Sequence, residues 1–83
     1  MKDLIEKLGG VITEDYTKES LIIGGLYIHW IYFEINGIEF IFSEDKVSYV
    51  LSYWNAENKE IILYQGVDIL ECEKALKDFV GGK

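Results

Sequence analysis

His29 and Cys72 are the only histidine and cysteine in this 83-residue chain, so they are the first residues to test for acid–base, nucleophilic or metal chemistry. His29 lies among Ile28, Trp30 and Ile31, with no Ser or Cys nearby in sequence for it to activate. That setting reads as a partly buried imidazole satisfied by a local hydrogen bond. One His and one Cys fall short of the three or four ligands that zinc takes. Cys72 falls on the apolar face of a helical pattern, where a thiol behaves as a small hydrophobe. Asp68 is better explained as a helix cap than as an acid or base.

The carboxylates are more informative. Glu34 and Glu39 flank an Asn36-Gly37 pair, and a two-residue turn there sets them directly opposite each other, a costly juxtaposition unless both are solvated or share a basic partner. A glycosidase pair needs a cleft, whereas a hairpin beside its turn is a ridge. The remaining acids cluster at expected loops, as Glu14-Asp15, Glu44-Asp45, Glu57 and Glu60, without the alternating spacing of an EF-hand calcium loop. Gly9-Gly10, Gly24-Gly25 and Gly81-Gly82 lack the residues of a phosphate-binding loop. The residues therefore suggest no cofactor and no enzymatic chemistry.

Composition narrows the partners. The net charge is −7 and all eight basic residues are lysine, so the overall field repels nucleic acid and no guanidinium fork is present. Direct nucleic-acid binding is disfavoured, and a protein with a basic surface is the complementary partner. A lone cysteine fits a thiol-reducing compartment, and the N-terminus shows no signal-peptide apolar region. No apolar stretch reaches the length of a membrane span. A soluble, cytoplasmic protein is expected. The apolar fraction of 49% argues for a packed core rather than disorder.

The elements that must position these residues follow from pattern. Asp3 and Glu6 suggest a capping box for a short helix ending at Gly9-Gly10, with Leu4, Ile5 and Leu8 on one face. Val11 to Tyr16 reads as a strand and Thr17 to Ser20 as a turn into Leu21-Ile22-Ile23. Gly24-Gly25 reads as a bend, with a hairpin turn as the competing assignment. Leu26 to Ile35 and Ile38 to Phe42 form a hairpin on Asn36-Gly37, which pairs Ile35 with Ile38, Phe33 with Phe40 and Ile31 with Phe42. Its other face pairs Glu34 with Glu39 and Tyr32 with Ile41. After a turn at Ser43 to Lys46, Val47 to Trp54 and Lys59 to Gln65 continue a meander, with a turn at Asn55 to Asn58. Asp68 and Glu71 open a C-terminal helix that buries Ile69, Cys72, Leu76 and Phe79. The expectation is a single α+β domain of two layers, with a four- or five-stranded antiparallel meander, a short N-terminal helix and a C-terminal helix.

Trp30, Tyr32 and Ile41 fall on the second face of this sheet, and Val50, Trp54, Ile61 and Leu63 of the later hairpin are expected on that same side. If both helices cover the first, an aromatic patch is left open; if one helix crosses over, the patch becomes core. The leading expectation is a non-enzymatic inhibitor that masks a basic surface, such as one on a nucleic-acid-handling enzyme. Glu34, Glu39, Glu44 and Asp45 would stand in for phosphates, with Trp30, Tyr32 and Trp54 as anchors. In size and acidity alone, the chain resembles small phage and mobile-element inhibitors of restriction or CRISPR nucleases, and bacterial toxin-immunity proteins. That resemblance carries over no residue. Two other classes fit the composition: a structural protein that dimerises through the aromatic face, and a small-molecule sensor with its pocket between sheet and helices.

Overall fold

The computed structural model describes residues 1–19 and 26–82. Five antiparallel strands form one open sheet in the order β1-β2-β3-β4-β5, with a helix before and a helix after it. The elements are α1 (Lys2–Lys7), β1 (Val11–Glu19), β2 (Tyr27–Ile35), β3 (Ile38–Glu44), β4 (Tyr49–Trp54), β5 (Glu60–Gly66) and α2 (Ile69–Gly81). The fold is α+β, and the meander has its full five strands.

The β2–β3 hairpin takes the register that its turn dictates. Asn36 and Gly37 have φ of 54° and 81°, the positive values that a type I′ turn requires at both central positions. Ile35 then pairs with Ile38, Phe33 with Phe40, Ile31 with Phe42 and Glu34 with Glu39. Because side chains alternate along a strand, this register sends Ile31, Phe33, Ile35, Phe40 and Phe42 to one face. Each is at most 2% exposed. Phe33 and Phe40 stack across the strand pair with centroids 5.1 Å apart, worth about 0.5–1.5 kcal/mol beyond the area they bury.

Both helices pack on that same face. Ile5 of α1 and Cys72 and Leu76 of α2 join the sheet residues in one buried cluster, with Leu51 of β4 beneath them. Phe79 of α2 meets Phe40 edge-on at 5.9 Å and Tyr53 at 4.6 Å. Among the described residues no helix covers the other face, so the aromatic patch is not converted to core.

Several local expectations are corrected. The Asp3–Glu6 capping box does not form: α1 begins at Lys2 with Met1 as N-cap and no side-chain cap. The Met1 side chain is almost fully buried and its ammonium lies 3.7 Å from Glu73 of α2. The N-cap is therefore Met1, docked beside α2, rather than Asp3. Its end is as expected, with Gly9 at φ 81° and the amides of Gly9 and Gly10 returning to the carbonyls of Glu6 and Ile5, a Schellman closure. At α2, the Asp68 carboxylate accepts from the amides of Leu70 and Glu71, but the Asp68 amide donates to the Tyr64 hydroxyl at 2.9 Å rather than to Glu71.

Thr17 to Glu19 extend β1 instead of turning, because β2 offers backbone partners as far as Tyr27. Ser43 and Glu44 likewise extend β3, paired with Trp30 and His29. Val47 is an exposed turn residue rather than the start of β4, since the Asp45 carboxylate draws the amides of Val47 and Ser48 into a turn. The expected strand at Leu21 to Ile23 and the Gly24-Gly25 bend lie outside the described residues.

Candidate functional site

The helix-free face is built row by row from strand register. β2 contributes Trp30, Tyr32 and Glu34; their β3 partners are Ser43, Ile41 and Glu39. Glu14 of β1 pairs with Tyr32 and Tyr16 with Trp30. A bulge at Thr13 restores this alternation after Ile12 has pointed into the core opposite Phe33. β4 adds Val50, Ser52 and Trp54, whose β5 partners are Gln65, Ile62 and Glu60. Ile61 and Leu63 do not join this face, because Ile61 pairs with Tyr53 on the helix side and, past a register shift, Leu63 packs against the core.

Aromatic rings form a continuous strip along β1 and β2. Tyr16 stacks on Trp30 at 5.4 Å and on Tyr32 at 6.1 Å. The neighbouring Tyr16 side chain, more than burial, raises the Tyr32 phenol above its ordinary value. At the turn end of the face, Thr13, Tyr32, Glu34, Glu39 and Trp54 surround a hollow of about 250 Å³ floored by Phe33 and Phe40. The Glu60 carboxylate, beside Trp54, accepts from the Ser52 hydroxyl at 2.5 Å.

Of the residues singled out in sequence, Trp30, Tyr32, Trp54, Glu34 and Glu39 are brought together here. Glu44 and Asp45 are not. Glu44 pairs with His29 and shares its face, which is the helix side of the sheet, so it cannot extend an acidic ridge around Glu34 and Glu39. Asp45 is committed to its own turn, accepting from the amides of Val47 and Ser48 and from the Ser48 hydroxyl. Those bonds, the Val47 amide foremost, lower its pKa.

A second group lies on the helix side, near α1. His29 Nε2 is 2.5 Å from Asp15 Oδ1 and His29 Nδ1 is 3.1 Å from Glu44 Oε2. Asp15 is in turn paired with Lys2 of α1. The imidazole thus bridges β1 and β3, and its partners come from other strands rather than from its own neighbourhood. Both ring nitrogens can donate to carboxylates at once only as imidazolium. The bond to Asp15, more than that to Glu44, raises the His29 pKa, while Lys2 and then His29 lower that of Asp15. With neither nitrogen free, the ring is an ionic clamp and not a general base. A hollow of about 290 Å³ beside it is lined by Met1, Lys2, Asp3, His29, Ile31 and Glu44.

Cys72 is buried in the core, which pushes its thiol up to about 11 and leaves it unreactive at neutral pH. Among the described residues no group of His, Cys, Asp and Glu is arranged to hold a metal ion. None of their helices is long and apolar enough to cross a membrane.

Sequence reasoning missed the His29 clamp. Half of it was available, because the turn that pairs Ile35 with Ile38 also pairs His29 with Glu44. The Asp15 and Lys2 contacts depend on the β1 bulge and on the docking of α1, which leave no local signal. No family model, curated protein or solved structure matches the chain.

Proposed function

We propose that the protein is a non-enzymatic binding module that docks the helix-free face of its sheet on a basic protein surface and masks it. The observation that carries this reading is the placement of both helices on one side. It leaves Tyr16 exposed and Trp30, Tyr32 and Trp54 half-buried among the described residues, on a face where Glu14, Glu34, Glu39 and Glu60 share the strands with Lys18 as their sole lysine. Aromatic anchors within a charged rim match the anatomy of protein interfaces. The chain's charge of −7 favours fast encounter with a cationic partner. In this reading Glu34 and Glu39 stand where phosphates would if the masked surface serves nucleic acid. An inhibitor of the anti-defence or toxin-immunity type is the biological role that such masking fits.

Affinity capture with the immobilised chain and with an E34K/E39K variant tests it. A basic protein should be retained by the wild type, released by raised salt and lost on the variant. Retention of the same protein by both, at high salt, sinks the reading.

A second reading has its own support. β5 is an edge strand whose Ile62 is 56% exposed and whose Ile61 is 38% exposed, and such an edge can pair two copies. Sedimentation over a concentration series separates the readings, since dimerisation through apolar residues is insensitive to salt and is abolished by I62K.

A further inference from the structure

We propose that the hollow between Tyr32 and Trp54 is the receptor for a single arginine side chain of the partner. The inference rests on the docking face proposed above and names its central contact.

The first ground is electrostatic. Glu34 and Glu39 are directly opposed across the β2–β3 pair, one step beyond the hydrogen-bonded pair that flanks the turn. That is the non-hydrogen-bonded position, where Cα atoms approach to about 4.5 Å and side chains are closest. Like charges so placed destabilise the free hairpin. Among the described residues neither carboxylate has an ion-pair or hydrogen-bond partner. A cation held between them removes the repulsion, so the free protein is primed for one.

The second ground is shape. The β3–β4 register that pairs Phe40 with Tyr53 brings Trp54 alongside Glu39, and Tyr32 precedes Glu34 on the same face. Carboxylates and aromatic rings therefore converge on one hollow. Its volume of about 250 Å³ is below the roughly 300–1,000 Å³ of a drug-sized site and suits one long side chain. Arginine fits this lining better than lysine. Its planar guanidinium stacks on Tyr or Trp while its fork of N–H donors reaches carboxylates on either side, whereas an ammonium is a hydrated point charge.

The test is a nuclear magnetic resonance titration of the labelled full chain with N-acetyl-arginine amide, its neutral isostere N-acetyl-citrulline amide, and protamine as an arginine-rich polypeptide. The arginine probe should shift the Trp54 indole N–H and the amides of Tyr32, Glu34 and Glu39 saturably, with citrulline at least tenfold weaker. E34Q/E39Q should weaken the arginine response at least fivefold while keeping the dispersed spectrum of a folded sheet. Equal responses to arginine and citrulline, or an unchanged affinity in the double variant, overturn the proposal. Protamine separates its failure from that of the docking face. Protamine shifts at Tyr16 and Trp30 without any at Trp54 defeat the arginine receptor alone, and no protamine response on this face defeats both.

Discussion

His29 Nε2 lies 2.5 Å from Asp15 Oδ1, tying the edge strand β1 to β2 through a side-chain bond added to the backbone ladder. Its other nitrogen reaches Glu44 of β3, so one ring spans three strands. The bond to Asp15 raises the His29 pKa above its ordinary value of 6.5. A group raised on folding contributes stability that is fully present below its unfolded pKa and lost as pH rises through its folded value. The urea midpoint should therefore fall as pH rises from about 6.5 through the folded His29 pKa. H29Q should flatten that fall and cost about 1 kcal/mol at pH 6, the scale of a partly exposed ion pair. A midpoint equally pH-dependent in H29Q would remove His29 from this role, since the chain has no other histidine.

The Asp15 side of the clamp acts in the opposite direction. Its pKa is lowered by Lys2 and His29, so its contribution is present above the unfolded carboxyl value and lost as pH falls through the folded one. D15N should blunt the acid limb of the same curve, below about pH 4, and also part of the alkaline limb because His29 loses its nearer partner. An acid limb unchanged in D15N would show that the Lys2 and His29 contacts do not bear on folding.

The opposed glutamates predict a gain of stability from a surface substitution. E39K places an ammonium opposite Glu34 and replaces repulsion by attraction, which should stabilise the isolated protein by about 0.5 kcal/mol in urea unfolding at low salt. The gain should shrink at high salt, where both the repulsion and the new attraction are screened. A variant that is less stable than wild type at low salt would mean that the two carboxylates splay apart in solution.

Gly10 sets how closely α1 sits on the sheet. A Cβ at this position would lie 2.7 Å from the side chains of both Ile35 and Ile5, and 3.0 Å from the Ile5 carbonyl oxygen. Ile5 and Ile35 are themselves buried, so they have little room to move. G10A should cost about 1–3 kcal/mol, the scale of core overpacking. G9A is a different case: nothing stands near its Cβ, and the penalty comes from φ of 81°, about 1 kcal/mol.

The hairpin shows why much of this fold could be read directly. Asn36-Gly37 specifies a turn, the turn specifies a register, and alternation then assigns Phe33 and Phe40 to the core and Glu34 and Glu39 to the open face. Each step is local. The helix ends divide along the same line. Asp68 caps α2 as its spacing implies, whereas α1 begins at Lys2 with Met1 as its N-cap, and the Met1 ammonium lies near Glu73 of the other helix. Asp45 and Glu44 looked alike as adjacent loop acids. Asp45 turned inward to its own backbone, and Glu44 became the last residue of β3 opposite His29. What sequence could not supply was the reach of tertiary contacts, such as the extension of β1 to Glu19 and the choice of face for both helices.

That choice of face makes the two tryptophans reporters of its electrostatics. Trp30 and Trp54 both lie on the helix-free face, and Trp54 is flanked by Glu39 and Glu60. An acidic field concentrates cations and excludes anions within a Debye length of about 10 Å at 0.1 M salt. Caesium should therefore quench tryptophan emission more than iodide does, after each is normalised to its efficiency against free tryptophan. The disparity should narrow with added sodium chloride, because screening removes the field without moving the rings. In E34Q/E39Q it should narrow already at low salt, while quenching by neutral acrylamide stays constant because exposure is unchanged. If acrylamide quenching were as weak as for a core tryptophan, the face would be covered in solution, by a second copy or by another part of the chain. Loss of that protection on dilution would identify the cover as a second copy paired face to face through the aromatic strip, in place of the basic partner.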